Sequence, residues 1–224
     1  AYSYNILNKP DMSVEAYQTA ISQVDMTDAS QVNKYIPVLH ENMMSVYLEE
    51  EDWQNYVQTA ENLWQKTEKY EYLEKHEPEY YVWQVTKLLA NKLDRQDECV
   101  IWYERLTNWW KALSAEAKGR HSAEYWANLP ITIGDLGDKH QAMAIVALDE
   151  ASPEVIKLED FGALEWMAEA YEKHSEWGKA LALYELMLTK DLPSGNRTYT
   201  KRNVKRCKGI LNKASGKKPW WKAW

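Results

Sequence analysis

Apolar residues recur at steps of three and four along almost the whole chain, and short polar breaks separate the apolar runs. This spacing puts apolar side chains on one face of a helix, whereas the period-two alternation of strands is missing. The segment 161–187 shows the pattern most clearly, because two periodic runs flank the polar break HSEW. The pattern therefore predicts an all-α chain that contains antiparallel helix hairpins.

The segment 161–187 also provides a numbering for the predicted hairpin, with Phe161 at place 1. Ala168 and Ala180 occupy places 8 and 20, where small side chains let two helix backbones approach closely. Tyr171 and Tyr184 occupy places 11 and 24 and fill the space beside the alanines. We expect Tyr171 and Ala180 to be buried where the two helices meet.

The same template fits three upstream segments, which begin at Pro37, Tyr80 and Ala123. It predicts inter-helix turns near residues 50–52, 94–97, 137–139 and 175–176. In the unit from Ala123 it places Ala142 and Val146 on the buried face of the second helix. Ahead of these units, a further helix is predicted from about Ser13.

The two middle units, residues 80–160, follow the template least well. Pro130 occupies a place where a small residue belongs, and proline should kink or shorten its helix. Gly134 and Gly137 weaken the same helix further. We therefore expect the stretch 123–138 to be the least regular part of the repeat region.

The repeated hairpin resembles the tetratricopeptide (TPR) family, whose helix–turn–helix unit has 34 residues. The spacings of 38 and 43 residues in this sequence are longer, so the resemblance is to TPR-like arrays. It implies a right-handed superhelix, or α-solenoid, of stacked hairpins. An irregular antiparallel bundle gives the same periodicity and remains the alternative. The predicted domain spans 1–214 and ends in a basic capping helix at about 199–213; residues 215–224 form a Trp-rich segment.

The resemblance also implies a function, because such solenoids bind peptides or partner proteins on the concave face formed by the first helix of each unit. The corresponding positions are polar and mostly acidic, so the expected partner segment is basic or amide-rich. These predicted contact residues are Glu41, Ser45, Leu48, Glu49, Gln84, Leu88, Asn91, Lys92, Glu165, Glu169, Glu172 and Lys173.

Motifs of catalysis, metal binding and phosphate binding are missing from the sequence. The five histidines show no HExxH or paired zinc spacing, and no Walker loop or GxSxG elbow occurs. We therefore expect a non-catalytic interaction scaffold without a metal or cofactor. The net charge of −7 argues against general nucleic-acid binding. Cys207 falls on the apolar stripe of the last predicted helix, as a reduced core thiol would.

The aromatic composition leaves a second function open. The chain has 12 Trp and 15 Tyr but one Phe, and their rings suit half-buried positions such as groove walls. Rings in the segments 79–83, 102–110 and 124–126 could stack on sugars if they were exposed together. Trp109 and Trp110 are consecutive, so both cannot face the core of one helix. The alternative function is therefore a small-ligand or carbohydrate binder.

The residues after Asp191 include ten basic side chains and no acidic one. Four hypotheses fit the Trp-rich segment: contact with the chain's own acidic surface, contact with an acidic partner, contact with an anionic membrane, or a disordered or recombinant tail. Trp prefers the membrane interface, and each nearby Lys adds roughly 1 kcal/mol on an anionic surface. The predicted contact residues of the segment are Lys217, Lys218, Trp220, Trp221, Lys222 and Trp224.

The longest apolar run, AMAIVAL, is much shorter than the roughly 20 residues of a membrane-spanning helix. We therefore expect a soluble protein. The sequence begins with Ala1 and shows no apolar signal-peptide region, which fits either a mature form after signal cleavage or a recombinant start. We favour the first interpretation, and with it a periplasmic or secreted protein over a cytoplasmic one.

Overall fold

The computed structural model describes residues 9–67 and 78–215. Over these residues the chain forms α-helices joined by short turns, and none of them lies in a strand. The all-α prediction is therefore confirmed. The chain divides into two units, Ala1–Gly119 and Arg120–Trp224, whereas a single repeat domain over 1–214 remains a prediction.

The first unit contains five helices in its described part. Each helix packs against the next one along the chain. The helix predicted from about Ser13 begins earlier, with proline as its first residue, a position where the missing amide hydrogen costs nothing. The five helices are α1 (Pro10–Ser22), α2 (Ala29–Glu49), α3 (Trp53–Thr67), α4 (Pro78–Asn91) and α5 (Cys99–Ala112).

The second unit holds the remaining helices, and the boundary between the units falls inside the first of them. Helices α7 and α8, α8 and α9, and α9 and α10 pack as neighbouring pairs. The last helix covers the predicted capping helix at 199–213 and extends beyond both of its ends. The five helices are α6 (Ala115–Gly134), α7 (Gln141–Leu158), α8 (Phe161–Lys173), α9 (Trp177–Leu188) and α10 (Ser194–Ala214).

All four predicted hairpin turns occur, and they share one backbone feature. Place 15 of every unit has a positive φ angle: 55° at Glu51, 52° at Asp94, 74° at Gly137 and 63° at Ser175. Non-glycine residues adopt such angles in only a few per cent of cases. A positive φ angle therefore recurs at the turn position of the template, at three non-glycine residues and one glycine.

The two units that fit the template best also close their turns with the same hydrogen bonds. In the unit from Pro37, the amide of Asp52 donates to the carbonyl of Tyr47 at 2.8 Å. In the unit from Phe161, the amide of Glu176 donates to the carbonyl of Tyr171, also at 2.8 Å. Both bonds join places 16 and 11, as expected for a helix end closed by a left-handed residue.

The core of the last hairpin matches the prediction residue by residue. Tyr171 and Ala180 are buried, as predicted for the contact between the helices. Tyr184 and Met187 are fully buried on the second helix. These side chains follow the helical spacing of three and four residues, so the periodic pattern identified the core of α8 and α9 correctly.

In the unit from Ala123, the predicted buried face of the second helix is wrong. Ala142 and Val146 are exposed, and Val146 is 57% accessible. A 3₁₀ turn at Asp138–His140 precedes α7. The stripe that packs against α8 lies two residues further along, about 200° around the helix from Ala142 and Val146. The buried side chains of α7 are Ala144, Ala147, Leu148, Ala151 and Val155.

Two prolines lie inside helices. Pro37, where a template unit begins, lies inside α2, which starts after the capping carboxylate of Asp28. Pro130, which was expected to kink or shorten its helix, does not shorten it, because α6 continues to Gly134. A Cβ atom at Gly134 would lie 3.3 Å from the Cβ of Ala170. This glycine therefore allows the end of α6 to approach α8 closely.

Candidate binding groove

A groove of about 570 Å³ lies between α7 and α9 in the second unit. Its volume is within the usual range of ligand pockets, about 300–1,000 Å³. Ile156 of α7 and Ala182 of α9 contribute exposed apolar surface to it. The other lining residues are Asp149, Ser152, Pro153, Tyr171, Lys179, Leu183 and Leu186.

Three side chains from three helices form the polar part of the groove. The hydroxyl of Tyr171 donates a hydrogen bond of 2.8 Å to Asp149. The ammonium of Lys179 lies 2.7 Å from each carboxylate oxygen of Asp149, and 5.5 Å from the centre of the Tyr171 ring. Tyr171 is only 2% exposed, so the position of Asp149 is tied to the core of the hairpin.

These contacts also determine the charges in the groove. Hydrogen bonds from Lys179 and Tyr171 lower the pKa of Asp149 below its ordinary value, so this carboxylate is ionised at neutral pH. Burial, followed by the bond to Asp149, raises the pKa of Tyr171 well above the ordinary tyrosine value. The phenol therefore stays protonated and remains a hydrogen-bond donor.

The geometry favours binding over proton transfer at this position. A carboxylate with a lowered pKa is a weak base, and Asp149 already accepts bonds from two donors. A carboxylate held by Lys179 and Tyr171 beside apolar side chains can instead orient a guest. The groove therefore offers an apolar surface with one fixed polar end.

The predicted acidic face of α8 is largely taken up by α10. The hydroxyl of Tyr199 donates to Glu169 at 2.8 Å, and Arg206 forms an ion pair with Glu172. The thiol of Cys207 lies 3.4 Å from the same Glu172 carboxylate. Glu169 and Glu172 therefore bind a segment of the same chain.

Two further residues predicted on this face are also partly enclosed. Glu165 is half-buried; burial and, to a smaller extent, the nearby charge of Glu169 raise its pKa. Lys173 is exposed as a residue, but its ammonium lies 2.7 Å from the buried carboxylate of Asp135. Binding of a partner by these residues remains a prediction, and it would compete with contacts inside the second unit.

The predicted contact surface on α2 is open to solvent. Ser45, Leu48 and Glu49 are exposed, and Glu41 is half-buried. Val38 adds exposed apolar area on the same helix, at 49% accessibility. The predicted partner contact on α2 is thus compatible with the side-chain exposure.

The predicted surface on α4 is only partly available. Leu88 was expected on the exposed face, but it is 6% accessible and belongs to the core. Gln84 is half-buried, whereas Asn91 and Lys92 are exposed. The ammonium of Lys92 lies 5.4 Å from the ring centre of Trp53. Leu88 is buried because apolar residues surround most of α4, so this helix buries a wider face than the template assigns.

Tyr81 and Trp102, from two of the segments proposed to stack on sugars, pack with Trp64 in the core. Trp64, Tyr81 and Trp102 form edge-to-face pairs with ring centres 6.0–6.4 Å apart. Trp109 is buried and Trp110 half-buried, as expected for consecutive residues of one helix. These rings account for core packing in the first unit, and their burial does not favour a carbohydrate site.

Two of the histidines have structural positions in the core. His40 is buried, and its Nδ1 lies 2.7 Å from the carbonyl of Ile36; burial lowers its pKa. His174 is buried with its Nε2 3.1 Å from the carbonyl of Ile133. Within residues 9–67 and 78–215, no three His, Cys, Asp or Glu side chains are placed to hold a metal ion. Both cysteines are buried free thiols, as predicted for Cys207.

The predicted contacts of the Trp-rich segment cannot be compared with the structure. Lys217, Lys218, Trp220, Trp221, Lys222 and Trp224 all lie outside the described residues.

Sequence analysis missed the groove between α7 and α9 because it assigned partner binding to the first helices of the hairpins. A signal was present in the pattern. Ile156 follows the buried Val155, and Leu186 precedes the buried Met187. Each pair widens the apolar stripe beyond the width that one neighbouring helix covers.

No family model matches the chain, and searches of curated proteins and of solved structures give no match either. In the part of the chain that the structure describes, no helix combines the length and apolar character needed to cross a membrane.

Proposed function

We propose that this protein is a non-catalytic interaction scaffold, and that the groove between α7 and α9 receives an apolar segment of a partner protein. One observation carries the proposal: an apolar groove of about 570 Å³ ends at a carboxylate held by Lys179 and Tyr171. Apolar side chains supply affinity as they leave water, and the fixed polar end supplies orientation.

The proposal includes a TPR-like repeat architecture, with stacked hairpins forming a right-handed superhelix. The positive φ angle at place 15 of all four units supports the repetition. The matched turn bonds at Asp52 and Glu176 support it further. Repeat proteins of this kind expose long surfaces formed by neighbouring helices, and partner segments bind along them.

The exposed face of α2 is proposed as a second contact surface. Glu41, Ser45 and Glu49 give it a polar, acidic character, and a basic or amide-rich partner segment would complement their charge. The two surfaces differ in chemistry, so they make separable predictions. Loss of apolar area should affect the groove, whereas loss of acidic charge should affect α2.

The groove can be tested with peptides selected from a random phage-displayed library on the full-length protein. Two exposed groove residues permit substitution without disturbing the core: Ile156→Asp on α7 and Ala182→Asp on α9. Val146→Asp is the matched control, because Val146 is exposed on α7 and does not line the groove.

We expect the groove variants to bind selected peptides at least about tenfold more weakly, since a charge would be buried beside each apolar side chain. Val146→Asp should retain binding, and circular dichroism should show equal helicity for all three variants. If the selected peptides bind the groove variants and the wild type equally, the groove is not the binding site. If Glu41→Gln/Glu49→Gln removes binding instead, the partner surface is α2.

A further inference from the structure

One side of α10 packs against the other helices of the second unit. Tyr199 and Arg206 bind the carboxylates of Glu169 and Glu172 on α8. The ammonium of Lys208 lies 2.8 Å from Glu185 of α9, and Cys207 is buried between these contacts. The basic residues on this side are therefore neutralised by the acidic surface on which the helix lies.

The opposite side of α10 is exposed and basic. Lys201, Arg202 and Lys205 are all exposed, and Lys201 and Lys205 lie one helical turn apart. The guanidinium of Arg202 lies over the ring of Tyr199, at 5.4 Å from its centre. No described carboxylate forms an ion pair with Lys201, Arg202 or Lys205. We call these three residues the basic face of α10.

The basic face is not explained by the stability of the helix. Like charges four residues apart on a helix repel each other by a few tenths of a kcal/mol. The sequence from residue 192 onward contains no acidic side chain that would reduce this repulsion. Such a surface complements an anionic partner electrostatically.

The residues that follow α10 in the sequence indicate which class of anionic partner the basic face binds. Three more lysines and three tryptophans, Trp220, Trp221 and Trp224, come within ten residues of the helix end at Ala214. Indole rings are enriched at the interface between bilayer and water, and lysines near an anionic leaflet are attracted to it. An acidic protein would recognise the lysines, but it would give no particular reason for three indoles among them.

We propose that the basic face of α10 binds an anionic lipid surface. This contact is peripheral: the face offers charge, and Thr198 and Gly209 beside it provide no large apolar side chain for insertion. The surface is separate from the groove, so a scaffold bound in this way keeps the groove between α7 and α9 free for its partner.

The test is co-sedimentation of the full-length protein with vesicles of phosphatidylcholine alone or with 30% phosphatidylserine. The test variant is Lys201→Gln/Arg202→Gln/Lys205→Gln. The matched control, Lys9→Gln/Lys34→Gln/Lys111→Gln, removes the same charge from exposed positions of the first unit. A third variant, Trp220→Ala/Trp221→Ala/Trp224→Ala, keeps every charge and removes the indoles.

We expect the wild type to sediment only with the anionic vesicles and to dissociate as salt rises, because the attraction is screened. The basic-face variant should bind the anionic vesicles at least about tenfold more weakly than the wild type. The indole variant should also lose binding. The control should behave as the wild type. Failure of the wild type to bind anionic vesicles overturns the proposal, as does equal loss in the control. Binding to polyglutamate that exceeds binding to the vesicles would assign the face to an acidic protein instead.

Discussion

Tyr171 of α8 donates a hydrogen bond of 2.8 Å to Asp149 of α7, so one buried residue links the packing of the last hairpin to the polar end of the groove. Its ring is core, whereas its hydroxyl positions a carboxylate that is itself exposed. A change at Tyr171 should therefore alter both stability and the groove.

Replacing this tyrosine by phenylalanine tests the link. Tyr171→Phe keeps the ring but removes one hydrogen bond to a charged group, so the free energy of unfolding should fall by about 1–2 kcal/mol. The pKa of Asp149 should rise towards its ordinary value, because one of the two donors that lower it is lost. Urea unfolding and NMR titration measure the two effects. The exposed Tyr35→Phe serves as control, and an unchanged Asp149 pKa would argue against the link.

The packing of the last hairpin predicts that a larger side chain at Ala180 destabilises the protein. This residue is fully buried, so Ala180→Trp should overpack the contact between α8 and α9 and cost about 1–3 kcal/mol. Ala142→Trp makes the same change at an exposed position of α7 and should be nearly neutral. Thermal melts of the two variants provide the comparison. Equal melting temperatures would show that the register assigned to this hairpin is incorrect.

The backbone angles at place 15 predict opposite effects of substitution on stability at two of the turns. Gly137 combines φ 74° with ψ 168°, a region that is essentially restricted to glycine, so Gly137→Ala should cost about 1–3 kcal/mol. Ser175 has φ 63°, and Ser175→Gly removes the clash that a Cβ atom makes there. We expect Ser175→Gly to be neutral or stabilising. Chemical unfolding distinguishes the two, and a stabilised Gly137→Ala variant would refute the assignment of strain to this place.

The ion pair between Arg105 and Glu61 predicts a pH dependence in the first unit. The carboxylate receives a 2.8 Å hydrogen bond from Arg105 Nη2, and bonds from Arg105 lower its pKa below the ordinary 4.5. A lowered pKa in the folded state means that the stabilisation is present above 4.5 and is lost as pH falls through the folded value. Arg105 also lies over the rings of Trp64 and Trp102, which hold it in place.

Glu61→Gln removes that pH-dependent contribution. At pH 7 the variant should be about 1–2 kcal/mol less stable than the wild type, and the difference should shrink towards zero as the pH falls well below 4.5. Glu104→Gln, at an exposed position of α5, controls for the change in net charge. A difference that stays constant from pH 7 to acid would mean that the ion pair does not stabilise the first unit.

The sequence predicted the turns and the core of the last hairpin because those features depend on local spacing. Tyr171, Ala180 and Tyr184 lie at helical intervals, and a polar break marks the turn between their helices. The phase of α7 could not be predicted in this way. Apolar residues surround most of the helix in AMAIVAL, so spacing alone does not decide whether Ala144 or Val146 faces the core.

The candidate site could be predicted from the sequence less well than the fold. Glu169 and Glu172 were predicted to bind a partner, but α10 supplies Tyr199 and Arg206 to them. Periodicity identifies which face of a helix is polar, but it does not identify the segment that covers this face. The groove between α7 and α9 depends on the distance between two helices that are not consecutive, and no local pattern contains that distance.

The location of a bound partner tests the central claim most directly. An apolar peptide selected on the wild-type protein can be titrated into protein labelled at the methyl groups of Ile, Leu and Val. The account predicts that the largest shifts occur at Ile156, Leu183 and Leu186, which line the groove, while Val146 and the methyl groups of Val38 and Leu48 on α2 remain unchanged. Shifts concentrated on α2, with the groove methyl groups unaffected, would contradict the account.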